Sequence, residues 1–247
     1  VNGFDGDPNI TIAIVDTGLD LDHGDVQAKL WGNPGEIPGN GLDDDGNGYV
    51  DDVTGYDIRN GDATPQDDNG HGSHVGSIAA ASSNDGFGVA GLAWDTPLLA
   101  VKVLGSDRGG NWGDVAEGII YAADNGARII NLSLGGSSSS ATLELAVAYA
   151  LSRGCLLVAA AGNTGGAILY PARLPGVVAV TATESNDLVW SGSSRGPEAD
   201  LAAPGVSVLG ANAADGWYTQ TGTSMAAPHV AGVAALIWGL RPELPRP

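Results

Sequence analysis

The 247-residue chain is short of cysteine, of basic residues and of long apolar runs, and each shortage excludes a class of protein. Cys155, the only cysteine, lies in the apolar run CLLVAAAG, so no internal disulfide can form and we expect a buried thiol. Ten Lys and Arg residues against 29 Asp and Glu give a formal charge of −19, which repels nucleic acid and anionic membrane surfaces. The sequence contains no continuous run of about 18 apolar residues, which is the pattern that predicts a membrane span. Cations are therefore the expected partners, and neither nucleic acid nor membrane is.

Continuous apolar runs alternate with amphipathic segments along the chain. Runs at 10–16, 98–104, 128–135, 155–162 and 177–183 are typical of strands buried on both faces. Segments at 71–82, 113–127 and 141–154 have helical spacing. This alternation predicts an α/β fold of three αβα layers with a mainly parallel central sheet, in a single domain over 1–247.

Four polar residues occupy the positions where ligands bind in such a fold. Asp16 ends the first strand and Asn163 follows the fourth predicted strand, while His71 and Ser224 begin helical segments. Ligands bind beyond the carboxyl ends of parallel strands, so these side chains should meet at one edge of the sheet. An Asp, a His and a Ser from separate elements can form a nucleophile, its base and an orienting carboxylate.

The segments that carry these residues resemble the catalytic blocks of the subtilisin-like serine proteases. The similar blocks are VDTGLD (15–20), HGSHVGSIAA (71–80), SLGG (133–136), AAAGN (159–163) and GTSMAAPHVAG (222–232). They occur in the order Asp, His, Ser that separates this family from other triad enzymes. The resemblance implies a subtilisin-like fold and a peptidase.

Chemistry assigns a role to each of the four residues. The Ser224 hydroxyl needs a neutral imidazole to remove its proton, which His71 would supply. Asp16 would hold that ring in the correct tautomer and stabilise the imidazolium. The Asn163 side-chain amide and the Ser224 backbone N–H would bind the oxyanion.

Two other sequence patterns suggest a different kind of site. GSSRG (192–196) matches the nucleophile elbow of α/β-hydrolases, with His229 downstream, but RGPEADLAAPG after Ser194 does not favour the helix that an elbow requires. His71 and His74 form H-x-x-H, which lacks the spacing and glutamate of zinc proteases. We expect His74 and His229 to be structural.

The resemblance also implies how a peptide substrate would bind. Ser133 and Gly135 would pair with extended peptide on one edge, and Gly110 and Trp112 would form the opposite edge. The pocket for the residue before the cleaved bond would be lined by small or apolar residues: Leu134, Ala160, Gly162 and Leu169. We therefore expect a hydrophobic residue at that substrate position.

The loop at 32–69 is the most acidic part of the chain and predicts a cation site. Residues 43–68 contain nine Asp and only one basic residue, Arg59. The segment resembles the first nine positions of an EF-hand loop, but it has Thr54 at the twelfth position instead of Glu, and Pro34 and Pro38 oppose a helix upstream. We expect a free-standing Ca²⁺ loop with ligands from Asp43, Asp45, Asn47, Tyr49 (carbonyl), Asp51 and Asp52, although a solvated acidic surface remains the alternative.

The family resemblance implies up to two further Ca²⁺ sites, for one to three in all. One resembles a loop of thermostable members and would use Asp57, Asp62, Thr64 and Gln66. The other would use Asp25, Asp85 and the carbonyl groups of Ser83, Phe87 and Val89, with Asp5 or Asp7 replacing a ligand from the longer amino-terminal segment that is usual in the family. The chain also stops at LRPELPRP, without the closing helices of the family.

Three functions fit these observations. The first is a secreted, calcium-stabilised serine endopeptidase that acts on polypeptides. We expect it to be a monomer, in its mature form after removal of a signal peptide and a propeptide. The second is an inactive calcium-binding scaffold, and the third is a serine esterase. The intact set Asp16, His71, Asn163 and Ser224 favours an enzyme.

Overall fold

The computed structural model describes residues 6–244, so the predicted ligand Asp5 lies outside the described residues. In chain order the elements are β1 Ile12–Asp16, a 3₁₀ turn Gln27–Lys29, β2 Gly55–Asp57, α1 His71–Ala80, β3 Leu98–Lys102, α2 Trp112–Asp124, β4 Ile129–Leu132, α3 Ala141–Ser152, β5 Leu156–Ala160, β6 Val177–Thr183, β7 Leu201–Pro204, β8 Val208–Ala211, β9 Trp217–Gln220 and α4 Thr223–Leu240. The predicted alternation of strands and helices is therefore present.

Seven strands form one sheet in the order β2-β3-β1-β4-β5-β6-β7, and every neighbouring pair is parallel. Helices α2 and α3 pack together on one face, and α1 and α4 pack together on the other. Apolar side chains fill both interfaces, such as Ile119 and Leu143 on the first face and Val75 and Ala227 on the second. This arrangement confirms the predicted three-layer α/β fold.

The strand order places a natural ligand site between β1 and β4. From β1 the chain first builds towards β3 and β2, and from β4 it builds in the opposite direction through β5, β6 and β7. Helices cannot cover the sheet edge where the direction reverses, which leaves a crevice at the carboxyl ends of the strands. Asp16 is the last residue of β1, and Ser133 directly follows β4.

Four short strands have no counterpart among the predicted runs. β2 has three residues and lies within the acidic loop, while β7 is an edge strand with mostly exposed side chains. β8 and β9 pair antiparallel outside the main sheet. Because edge strands and hairpins bury few side chains, they lack the continuous apolar pattern that reveals a central strand.

Helix α4 corrects the expectation that no segment could span a membrane. Its 18 residues have a mean hydropathy of 1.3, so by length and composition alone it could cross a bilayer. Half of this helix is buried, and it contacts α1 and the strands β4, β5, β6 and β7. A core helix meets the same criterion, so its composition is weak evidence for a membrane span.

Candidate active site and cation sites

Asp16 and His71 form a buried pair at the carboxyl end of β1. The His71 Nδ1 atom lies 2.7 Å from Asp16 Oδ1, and the exposed fractions of the two residues are 5% and 0%. Asp16 Oδ1 also accepts the Thr17 backbone N–H, whereas Oδ2 has no hydrogen-bond partner among the described residues. With Nδ1–H donating to the carboxylate, His71 Nε2 is left as an acceptor for a proton.

A hydrogen-bonded network fixes the start of α1 against the end of β1. The Asp67 carboxylate accepts the backbone N–H groups of Asn69, Gly70 and Ser73, as an acidic residue at a helix amino terminus can. Thr17 Oγ1 donates to Asp67 and accepts the Gly72 N–H. A Cβ at Gly72 would lie 2.0 Å from the Gly18 carbonyl oxygen, so only glycine allows this close approach. The network determines the position of the His71 ring.

Ser224 lies in the first turn of α4, and its position is linked to Ser133. Pro228 lacks an N–H, so the Ser224 carbonyl has no i+4 donor within the helix. The Ser133 hydroxyl donates to that carbonyl instead, at 2.8 Å, and the Ser224 hydroxyl donates to the Ser133 carbonyl at 3.1 Å. Helix α4 is thereby held against the end of β4, with the Ser224 side chain in the same cleft as His71.

Asn163 is oriented by Thr223, the residue before Ser224. The Asn163 Oδ1 atom accepts the Thr223 backbone N–H at 2.8 Å and its hydroxyl at 2.9 Å. Since both hydrogen bonds end on the oxygen, the amide NH₂ group of this exposed side chain is available as a donor. The Ser224 backbone N–H lies at the amino terminus of α4, where backbone donors have no partner within the helix.

These side chains meet in a cleft of about 610 Å³. His71, Asn163 and Ser224 line it, together with all eight residues predicted for substrate binding: Ser133, Leu134, Gly135, Gly110, Trp112, Ala160, Gly162 and Leu169. Trp112 packs across towards Gly136 and also contacts the hydrophobic core. No Asp or Glu is among the described residues that line the cleft.

The other histidines have structural surroundings. His74 is buried, and its Nε2 atom donates to the carbonyl groups of Val208 and Tyr218. Burial lowers the pKa of His74 to about 4, so this ring is neutral at the pH where His71 would act as a base. Burial also lowers the pKa of His229.

Ser194, the serine of the alternative nucleophile elbow, is buried, and no helix follows it.

Three carboxylates converge in the acidic loop. Glu36, Asp45 and Asp52 each offer an oxygen within 4.8 Å of the others, and Glu36 and Asp52 are buried. The Glu36 Oε2 atom has no hydrogen-bond partner among the described residues. Burial raises the pKa of Asp52 above its usual range, although hydrogen bonds from Tyr121, Asn47 and Asn33 oppose this shift. A cation between the three groups would relieve their repulsion, so these residues fit a hard metal ion.

Asp43 and Asp51, the other predicted carboxylate ligands of this loop, do not belong to that group. Asp43 accepts the backbone N–H groups of Gly46, Asn47 and Gly48, and Asp51 accepts those of Asn40 and Gly41. Asn47 donates its amide to Asp45 and Asp52. These side chains shape the loop around the carboxylate group, and the Tyr49 ring makes edge-to-face contacts with Tyr56 and Tyr121.

The second predicted site is less convergent. The two Asp57 oxygens accept the backbone and side-chain N–H groups of Asn60, and Asp62 accepts the Thr64 N–H. The Gln66 side chain bonds elsewhere: its NH₂ group donates to Asp20, and its oxygen accepts the Leu21 N–H.

The third predicted site contains a buried carboxylate oxygen without a partner. Asp25 is fully buried, and its Oδ2 atom accepts N–H groups from Val89 and Trp217. The Oδ1 atom has no hydrogen-bond partner in the described part of the chain. Asp85 is exposed and accepts the Phe87 N–H. The Asp25 oxygen fits a cation, since a buried carboxylate oxygen without a partner is costly.

Sequence reasoning missed several residues that organise these sites. Asp67 and Thr223 carried a local signal, because one precedes a helix and the other precedes Ser224. Thr17 also carried a local signal, because it follows Asp16 directly. Glu36 lies in the predicted cation-binding loop but was not among the predicted ligands, and Arg108 carried no signal, since it belongs to no periodic pattern or recognised spacing.

Comparison with known proteins places this geometry in a family. The Peptidase_S8 model, the subtilase family, matches residues 7–246. Thermitase from Thermoactinomyces vulgaris is 43% identical over 92% of this chain and 74% of its own length. A thermophilic serine proteinase from Bacillus sp. strain AK1 is 42% identical, again over 92% of this chain but over 51% of its own length. The chain thus spans between about half and three quarters of these two relatives.

A solved structure agrees with the sequence matches. A cold adapted subtilisin-like serine proteinase superposes with a TM-score of 0.81 at 31% identity, over 100% of this chain and 82% of that one. Subtilisin Savinase from Lederbergia lenta is 49% identical over 72% of this chain and 66% of its own length. The catalytic blocks, the parallel sheet and the buried Asp16–His71 pair are consistent with these matches. The chain therefore belongs to the subtilase family of serine proteases.

Proposed function

We propose that this chain is a calcium-stabilised serine endopeptidase that cleaves polypeptides through an acyl-enzyme. The 2.7 Å contact between Asp16 and His71, behind a cleft that Ser224 and Asn163 line, is the observation that carries the proposal. An inactive scaffold would have no need to bury an Asp–His pair behind an open cleft. Family membership further supports secretion and maturation by loss of a propeptide.

Each residue of the site has a definite task in this reaction. His71 Nε2 removes the proton of Ser224 as its Oγ attacks the peptide carbonyl, and later gives that proton to the leaving amine. Asp16 keeps the ring in the tautomer with Nδ1–H and offsets the positive charge of the imidazolium. The Asn163 amide and the Ser224 N–H stabilise the oxyanion of the tetrahedral intermediate.

The Ser224 hydroxyl points at the Ser133 carbonyl in the free enzyme. A hydroxyl rotates about its Cα–Cβ bond at little cost, and catalytic hydrogen bonds often tighten only when substrate binds. The Ser133 carbonyl is then free to accept the N–H of an extended peptide, as strand addition requires.

The apolar pocket leads to a prediction about specificity. Leu134, Ala160, Gly162 and Leu169 offer no carboxylate, so a charged substrate side chain would lose its hydration without a partner. We expect peptides with Phe or Leu before the cleaved bond to have a kcat/KM at least about tenfold above those with Arg, Lys or Asp. A matched series of otherwise identical chromogenic peptides measures this ratio.

The variant Leu169→Asp tests the role of the pocket wall in the same assay. Leu169→Asp adds a carboxylate to the pocket wall and should raise kcat/KM for Lys and Arg relative to Phe. Preference of the unchanged enzyme for Arg over Phe would contradict the specificity. Turnover of small esters without cleavage of any peptide would favour a serine esterase instead of a peptidase.

Calcium is proposed as a structural ligand of the acidic loop. Glu36, Asp45 and Asp52 would hold one ion, with Asp25 part of a second site. Carboxylate oxygens on an irregular loop suit Ca²⁺ better than Mg²⁺, which demands octahedral geometry. When bound, the ion would neutralise buried negative charge in the loop that joins Asp16 to His71, in a chain without a disulfide.

Chelation should therefore destabilise the protein. An ion present at about 1,000 times its Kd contributes about 4 kcal/mol, which for a chain of this size corresponds to a loss of about 10 °C in Tm on its removal. Differential scanning calorimetry with calcium and with chelator measures the change. An unaltered Tm in chelator would contradict the calcium proposal.

Glu36→Gln separates this site from the others. With calcium the variant should melt below the unchanged protein, because one ligand charge is lost. In chelator it should melt at the same temperature or higher, because one of three repelling carboxylates is gone. Asp44→Asn, an exposed neighbour outside the carboxylate group, is the control and should keep the full calcium-dependent shift.

A further inference from the structure

Arg108 is a cation in an otherwise carboxylate-rich protein, and it lines the same cleft as His71 and Ser224. It lies in the tight turn between β3 and α2, where the Arg108 N–H donates to the Gly105 carbonyl and the Gly105 N–H to the Gly109 carbonyl. Its φ of 63° lies in the left-handed region, which residues with a Cβ seldom adopt.

Two neutral side chains hold the guanidinium in place. Its Nε–H donates to Asn69 Oδ1 at 2.9 Å, and a terminal NH₂ group donates to Gln220 Oε1 at 3.2 Å. Asn69 is anchored in turn, because its amide donates to the Ser106 carbonyl. A guanidinium has five N–H donors, so about three remain for a ligand.

The charge of Arg108 has no direct counterion among residues 6–244. Asp107, next to it in the chain, accepts the Gly109 N–H instead, and Asp68 pairs with Lys102. Arg59, Arg153 and Arg173 each form an ion pair with a carboxylate, whereas the exposed Arg195 donates to the Trp190 carbonyl. Arg108 is thus a positioned guanidinium with free donors and uncompensated charge.

The path of an extended substrate brings one particular side chain to this group. Successive side chains of an extended peptide point to opposite sides. If one residue fills the apolar pocket formed by Leu134, Gly162 and Leu169, the residue before it points away from that pocket. Arg108 lines the same cleft outside that pocket, together with His71 and Leu104.

We propose that Arg108 selects substrates with Asp or Glu immediately before the residue in the apolar pocket, by binding that carboxylate with its free N–H donors. The inference rests on the proposed peptidase function and deepens it. A guanidinium recognises a carboxylate through charge-assisted hydrogen bonds and disfavours Lys at the same place. The protein would thus accept one acidic side chain beside its nucleophile in spite of a net charge of −19.

Matched peptides test this inference. Peptides that share Phe before the cleaved bond and carry Asp, Asn or Lys one position earlier should differ in kcat/KM. We expect Asp to exceed Asn by roughly 3- to 10-fold, with Lys lowest. The advantage of Asp should shrink as NaCl is raised, because salt screens exposed charges.

Variants of the arginine identify the source of the preference. Arg108→Gln should make the three peptides equal within about twofold, while Arg108→Lys should retain part of the advantage of Asp, since a point charge remains. Arg153→Gln removes the same charge from an exposed position directly after α3, outside the cleft, and should leave the preference unchanged. A structural role for Arg108 would lower kcat/KM for all three peptides alike.

A binding measurement keeps this inference separate from the peptidase proposal. Calorimetric titration of Ser224→Ala with the uncleaved Asp and Lys peptides reports affinity without catalysis. If the enzyme cleaves the peptides with no preference for Asp, the role of Arg108 is overturned and the peptidase proposal stands. The same holds if Arg108→Gln keeps a preference for Asp. Tighter binding of the Asp peptide that depends on Arg108, with no cleavage by the unchanged enzyme, supports the role of Arg108 and overturns the peptidase. Absence of both effects overturns both.

Discussion

Ser224→Ala is expected to abolish peptide hydrolysis while leaving the protein folded. The variant lacks the hydroxyl that His71 activates for attack in the proposed mechanism, so the acyl-enzyme cannot form. The expected loss in kcat is on the order of 10⁶-fold, a size known from the nucleophile of subtilisin itself and not obtained from this chain. Casein hydrolysis and single-peptide kinetics measure it.

The fold should tolerate this change well. Ser224 is partly exposed, and its backbone carbonyl, which the variant keeps, still accepts the Ser133 hydroxyl. Alanine also suits a helix better than serine does. Circular dichroism and an unchanged calcium-dependent Tm serve as controls. Activity within tenfold of the unchanged enzyme would exclude Ser224 as the nucleophile.

Asp16→Asn is expected to lower kcat by about 10³- to 10⁴-fold. The neutral amide cannot offset the charge of the His71 imidazolium that forms during attack. It must also place its NH₂ group either against the Thr17 N–H donor or at the Oδ2 position, which has no partner in the described structure. The first orientation would donate to His71 Nδ1 and so disturb the tautomer that leaves Nε2 free, whereas the second keeps an accepting oxygen at Nδ1 but without the negative charge.

Steady-state kinetics on one good peptide separate the two constants. The effect should fall on kcat, with KM changed far less, because Asp16 is fully buried and does not line the cleft. Asp22→Asn, an exposed carboxylate six residues along the chain, is the matched control and should keep the full kcat. Retention of more than a tenth of kcat by Asp16→Asn would contradict its role.

The two variants probe different parts of one arrangement. Ser224 lies at the start of α4, Asp16 at the end of β1 and His71 at the start of α1. The acidic loop lies between Asp16 and His71 in the chain, so an ion bound there would stabilise the segment that joins two of the proposed catalytic residues. Stability and catalysis would thus be coupled through the same loop.

The sequence by itself determined the central strands and the residues at their ends. Strands β1, β3, β4, β5 and β6 are continuous apolar runs, because a parallel sheet covered on both faces buries every side chain. Asp16 and Asn163 were identifiable for the same reason, since a polar residue that ends such a run lies at the ligand-binding edge. His71 and Ser224 followed from helix starts and from spaced blocks with a fixed order.

Only the tertiary structure decided which side chains converge away from those strands. Glu36 meets Asp45 and Asp52 through an irregular loop, whereas Asp43 and Asp51 turn to backbone N–H groups. Arg108 reaches Asn69 and Gln220 across the chain through a left-handed turn. Local periodicity reports which residues are buried in regular elements, but contacts between loops depend on backbone turns and long-range packing, which no spacing in the sequence encodes.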